Sequence, residues 1–101
     1  MRVERQTIQV RGSKPPTVEI DTQANSVYIR FKQAAVAKTV DRPADNLHIA
    51  IDLDSKGEVV GIEAVGVTEF GLQFILQKAA VSAPNVDVSK ARYIPAELAG
   101  T

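Results

Sequence analysis

The chain has 101 residues, with 12 Lys and Arg against 12 Asp and Glu, one His and no Cys; 45% of it is hydrophobic and 24% charged. That is one domain's worth of chain with too much apolar content for wholesale disorder. Without cysteine there is no disulfide framework, thiolate nucleophile or zinc ribbon, a single His48 excludes sites with two or more histidine ligands, and a zero net charge gives no footprint for bulk nucleic-acid binding.

The N-terminal stretch carries Arg2, Glu4, Arg5 and Arg11 and lacks the apolar run of a secretory signal. No apolar run approaches the roughly 20 residues of a membrane helix. The expectation is a cytoplasmic protein with no membrane association. Thr7–Val10 is a candidate short strand, and Arg11-Gly-Ser-Lys-Pro-Pro16 reads as a linker. Residues 1–16 are therefore an N-terminal arm.

From Thr17 the pattern has a period of two, the mark of a half-buried strand. Val18 and Ile20 share one face of the first strand. Thr22–Asn25 is a turn. In Ser26–Lys32, Val27, Ile29 and Phe31 face one way and Tyr28, Arg30 and Lys32 the other. Val36–Arg42 is a weaker strand, followed by a loop. In Leu47–Leu53 the alternation turns Leu47, Ile49, Ile51 and Leu53 inward and His48, Ala50 and Asp52 outward. Asp54-Ser-Lys-Gly57 is a hairpin turn, with Gly57 supplying a positive φ. Glu58–Val65 returns as the next strand. It carries apolar residues on both faces: Val60, Ile62 and Ala64 on one, Val59 and Val65 on the other. The N-terminal arm, the C-terminal tail or a second subunit would cover that second face, and a homodimer is the expectation.

The period then becomes helical. Thr68 and Glu69 suit a helix N-terminus, with Gly71 weakening the first turn. Phe70, Leu72, Phe74, Ile75, Leu76 and Ala79 make a wide apolar face, and Pro84 stops any continuation. The spacing predicts an α+β domain over residues 17–81: an antiparallel β-meander of four to five strands with one C-terminal helix packed on one face. Residues 82–101 are a partly ordered tail that docks on the core or on a partner.

Two stretches imitate ligand loops. Asp52-Leu-Asp54-Ser-Lys56-Gly57, ending at Glu63, matches the EF-hand spacing at four positions. Lys56 sits where a ligand oxygen belongs, however, and strands flank the loop where helices should be. Gly61-Ile-Glu-Ala-Val-Gly66-Val67-Thr68 approximates a phosphate loop but has Val67 in place of the lysine. No metal, cofactor or catalytic set is assigned. The remaining candidates form an interaction surface: Tyr28, Arg30, Lys32, His48, Asp52, Val59 and Val65. Tyr28, Arg30 and Lys32 are an aromatic-basic stripe that also describes an ordinary solvent face. His48 with Asp52 is the one pairing an enzyme could use, although nothing visible supplies a nucleophile for it to activate.

The charge balance conceals an asymmetry. Residues 1–42 hold eight bases and four acids, and residues 43–101 hold four bases and eight acids. Strands of opposite charge pairing across the sheet would account for it, and a basic face that meets an acidic partner is the alternative.

The stretch Val18-Glu-Ile-Asp-Thr-Gln-Ala-Asn-Ser-Val-Tyr-Ile-Arg30, followed by Leu47-His-Ile-Ala-Ile-Asp-Leu-Asp-Ser-Lys-Gly-Glu-Val-Val-Gly-Ile-Glu63, resembles a small bacterial family, domain of unknown function number 2283. The match runs from Thr17 to about Val67. The resemblance implies a compact sheet-plus-helix domain and no activity. Members are similar to small proteins encoded beside toxin-like partners, which implies an accessory or antitoxin-like binding role. The composite expectation is a non-enzymatic protein-interaction module that self-associates. A nucleic-acid accessory role through Arg2, Arg5, Arg11, Lys14, Arg30 and Lys32, and a small enzyme using His48 and Asp52, are the alternatives.

Overall fold

A computed structural model describes residues 7–42, 46–67 and 71–95. The chain is α+β: a mixed, mostly antiparallel open sheet of six strands with one helix. Its elements are β1 (Ile8–Gln9), β2 (Thr17–Asp21), β3 (Ser26–Arg30), β4 (Lys38–Asp41), β5 (His48–Leu53), β6 (Val59–Val65), α1 (Leu72–Ala79), β7 (Val81–Ser82) and β8 (Arg92–Pro95). A single 3-10 turn, Val88–Lys90, leads into β8.

The large sheet has the order β4-β5-β6-β3-β2-β8, and β1 pairs separately with β7. Neighbours are antiparallel except at β2-β8 and β1-β7, which are parallel. The order departs from a simple meander at two places, the second being β8 beside β2. β3 lies beside β6, so β3 to β6 form a Greek key. The seven residues 31–37 carry the chain across the ends of β6 and β5. That crossing is about 14 Å, and seven extended residues reach about 23 Å.

The alternating apolar residues line up in register. Ile29, Ile51 and Ile62 form one row, and Val27, Ile49 and Ala64 the next. All six are at most 4% exposed. Each large side chain in these rows contributes about 1.5–3 kcal/mol of burial. Leu72, Ile75, Leu76 and Ala79 of α1 cover this face together with Val10 and Val81. Val86, Val88 and Ala91 of the tail pack against the same core.

The β5-β6 register resolves the strand that looked apolar on both sides. Ile51 faces Ile62 and Asp52 faces Gly61, but Leu53 faces Val59. Val60 is an extra residue on β6, a β-bulge, whose carbonyl accepts from the N–H groups of Phe31 (2.8 Å) and Lys32 (3.3 Å). The bulge reverses the alternation. Val59 joins the main core at 3% exposure and is not on the open surface, where strict alternation puts it. Val65, 36% exposed, is the exposed large apolar side chain of β6.

Helix α1 begins later than its apolar pattern. Gly71 is the N-cap, at φ −147° and ψ 115°, and not a residue of the first turn. Thr68, Glu69 and Phe70 lie outside the described residues. Phe74 is 48% exposed and off the buried face. At the other end Ala80 closes the helix at φ 56°, ψ 45°, donating to Gln77 O at 3.1 Å. The Arg42 guanidinium donates to Ala79 O at 3.0 Å, a cation on the negative helix end. The left-handed conformation costs a non-glycine residue about 1 kcal/mol or more. Ala80→Gly is therefore expected to raise unfolding stability by about 1 kcal/mol, seen as a higher urea midpoint with an unchanged slope.

Candidate functional site

The face of the sheet opposite α1 is covered by no described element. The strand registers define its rows. One row reads Thr39, Asp52, Gly61, Arg30, Thr17, Arg92, and the next reads Asp41, Ala50, Glu63, Tyr28, Glu19, Ile94. Further along lie His48, Val65, Ser26 and Asp21.

Tyr28 organises the centre. Its hydroxyl donates to Asp52 Oδ2 at 2.8 Å, although β6 lies between their strands. The ring reaches across because Gly61 leaves the space. A Cβ at Gly61 would stand 2.4 Å from the Tyr28 oxygen and 2.5 Å from two ring carbons, closer than such atoms approach. A glycine inside a strand commonly marks this kind of close approach. Asp52 Oδ1 accepts from Thr39 Oγ1 at 2.7 Å, which carries the chain of bonds to β4. On the other side Arg30 stacks on the Tyr28 ring, 4.8 Å from its centroid. Arg30 also donates to both oxygens of Glu19, from Nε at 2.8 Å and from Nη2 at 3.3 Å. One network thus runs over five adjacent strands, from Thr39 on β4 to Glu19 on β2.

A second cluster closes the β5-β6 hairpin. Asp54 Oδ1 accepts from the N–H groups of Lys56 and Glu58, both at 2.9 Å. Lys32 Nζ bridges Asp54 and Glu58. The calcium-like spacing is therefore a hairpin cap. Asp52 and Asp54 bind different partners, and Gly57 at φ 80° makes the turn.

The electrostatics follow from these contacts. Burial first, then the bond to Asp52 and its charge, push the Tyr28 hydroxyl well above its ordinary 10.0. Tyr28 is a fixed proton donor across the physiological range. The bond to Glu19 raises Arg30, and the bonds to Asp54 and Glu58 raise Lys32. The Lys32 ammonium and two backbone N–H groups hold the Asp54 carboxyl down at about 2.

Of the surface read from the sequence, the structure brings together Tyr28, Arg30 and Asp52. Lys32 belongs to the hairpin cluster. His48 Nε2 lies 3.7 Å from Asp41 Oδ1, with both side chains largely exposed. Four residues along β5 separate His48 from Asp52, about 13 Å, and each has its own partner, so the two do not form a dyad. Sequence reading missed Glu19, Thr39 and Gly61. Glu19 could have been placed by counting the hairpin register back from the Thr22–Asn25 turn. The glycine inside an otherwise regular strand was the signal for the ring that crosses it.

This face is assembled almost entirely from β2 to β6. The family described as a protein of unknown function (DUF2283) matches residues 17–67, half of the chain. The chain belongs to this family. Comparison with curated proteins and with solved structures gives no match. The DUF2283 segment spans β2 through β6, the Tyr28 network and the Asp54 hairpin cap. The helix, β1, β7 and β8 lie outside it. No helix among the described residues is long and apolar enough to cross a membrane.

The two shifted groups give opposite pH dependences. Asp54 titrates lower folded than unfolded, so its contribution is present above its ordinary 3.8 and is lost as pH falls through about 2. Tyr28 titrates higher folded than unfolded, so its contribution is present below 10.0 and is lost as pH rises above it. Urea midpoints against pH should show Asp54→Asn removing part of the acid limb and Tyr28→Phe part of the alkaline limb, each leaving the other limb intact.

Proposed function

We propose that the chain is a non-enzymatic interaction module that self-associates through the open face of its sheet. The observation that carries this reading is the stacked Tyr28–Arg30 pair, held in place by Asp52 and Glu19 at the centre of that face. Tyrosine and arginine dominate binding hot spots, and side chains already fixed lose little entropy on association. The polar groups here hold each other, so the surface is presented as a rigid unit.

The charges on this face favour a second copy as the partner. Asp41 and Glu63 lie on the β4–β6 half, and Arg30 and Arg92 on the β3–β8 half. A two-fold axis parallel to the strands would set each half against the other half of the second copy. Asp41 then meets the Arg92 region, and Glu63 meets the Tyr28–Arg30 pair. An axis across the strands would set Asp41 against Asp41, where like charges repel. Such an isologous contact is the common form of a homodimer. In this reading the protein works in the cytoplasm as an accessory factor, its dimer face also available to a heterologous protein partner of antitoxin-like type.

Sedimentation velocity at micromolar concentration should give a dimer for the wild type and a monomer for Glu63→Arg, with unchanged circular dichroism. A wild type that stays monomeric, or a dimer that Glu63→Arg leaves intact, would remove the reading.

A further inference from the structure

The strand order sends four connections to one end of the sheet. The segments preceding β2, joining β3 to β4, joining β5 to β6 and preceding β8 all lie there, because β2, β4, β6 and β8 start at that end while β3 and β5 finish there. Every one of them carries a cation. Arg11 and Lys14 precede β2, Lys32 and Lys38 flank the crossing segment, Lys56 is in the hairpin turn, and Lys90 and Arg92 lead into β8. Arg11 lines one groove with Gly57 of the hairpin, which puts the arm beside the turn. The peptide N–H of Arg92 donates to Pro16 O at 3.0 Å, which puts Lys90 and Lys14 at the same corner.

Seven cations (Arg11, Lys14, Lys32, Lys38, Lys56, Lys90 and Arg92) outnumber the four carboxylates at this end, and each carboxylate holds a local partner. Asp52 accepts from Tyr28 and Thr39, Asp54 and Glu58 hold Lys32, and Asp87 caps the turn at Ser89. Arg11, Lys14, Lys38, Lys56, Lys90 and Arg92 have exposed side chains and no ion pair among the described residues. The opposite end of the sheet carries Asp21 and Asp41, with His48 and Arg42 beside Asp41. Among the described residues, exposed cations therefore collect at one end of the strands.

We propose that this basic end binds the phosphate backbone of a nucleic acid without reading its sequence. Six exposed cations, four in the connecting segments and Lys38 and Arg92 at the first positions of β4 and β8, span the width of the sheet, about 24 Å, as a track for a phosphate chain rather than a pocket for one ligand. The large apolar side chains exposed near this end, Val36 and Tyr93, stand at opposite edges of the sheet and make no common patch. Dispersed cations of this kind are sufficient for backbone binding. The site is separate from the proposed dimer face except at Arg92, and the test avoids that residue.

The test is fluorescence anisotropy with a labelled random-sequence oligonucleotide, in single-stranded and duplex form, against salt. The expected result is non-specific affinity of about 10⁻⁴–10⁻⁶ M at physiological salt, tightening as salt falls, with a log–log slope of about −4 to −5 if all six cations engage. The triple variant Lys14→Glu, Lys56→Glu, Lys90→Glu should cut the slope by about half and weaken binding at least tenfold, while circular dichroism and the sedimentation coefficient stay unchanged. Three outcomes would overturn the proposal. They are no binding at low salt, binding that the triple variant leaves intact, and equal competition by polyglutamate, which would assign the surface to acidic proteins.

Discussion

The phenol of Tyr28 crosses a whole strand to reach Asp52, and it can do so because the residue it passes over is Gly61. That bond ties β3 to β5 from above, while the backbone ladder ties each of them to β6 from within. Thr39 and Glu19 extend the connection to β4 and β2 through Asp52 and Arg30. The core rows on the other face depend on the same strand registers. A slip of one residue anywhere in β3, β5 or β6 would break the polar network and turn Ile29, Ile51 or Ile62 to solvent together. The two faces of the sheet thus specify one register twice, once by burial and once by hydrogen bonds. Half-buried charged groups left without partners would be costly, so the network adds specificity to the stability that the isoleucines supply.

The balance of twelve bases and twelve acids takes a different meaning once the strands are in place. Along the chain it divides into a basic first half and an acidic second half. Lys32 of the first half does meet Asp54 and Glu58 of the second. Arg30, however, meets Glu19 within its own half, because the β2-β3 hairpin brings it there first. Among the described residues, the exposed cations Arg11, Lys14, Lys38, Lys56, Lys90 and Arg92 gather at the end where four connections converge. Topology, not sequence proximity, creates that end: Pro16 and Arg92 meet only because β8 adds to the sheet parallel to β2.

Much of the architecture was legible in the residues. The alternation in Ser26–Lys32 and Leu47–Leu53 identified core and open faces correctly, because a sheet covered on one side imposes a strict period of two. The Asp54–Gly57 turn was legible because its chemistry is local. What failed was whatever depended on partners distant in sequence. Val59 looked like a surface residue because the bulge at Val60 is set by the pairing of β6 with β5 and with the Phe31–Lys32 backbone. The place of β3 beside β6, and of β8 beside β2, leaves no periodic trace. The open face was legible in composition but not in wiring. Tyr28, Arg30 and Asp52 stood out as types, while Glu19, Thr39 and Gly61 acquire their roles only from register.

The central claim is that Tyr28 and Asp52 act as one unit across Gly61. A double-mutant cycle with Tyr28→Phe and Asp52→Ala, read as unfolding free energies in urea, tests it most directly. The account predicts a coupling of about 1–2 kcal/mol, in the range of a hydrogen bond to a charged group. Effects that add to within about 0.3 kcal/mol would contradict it.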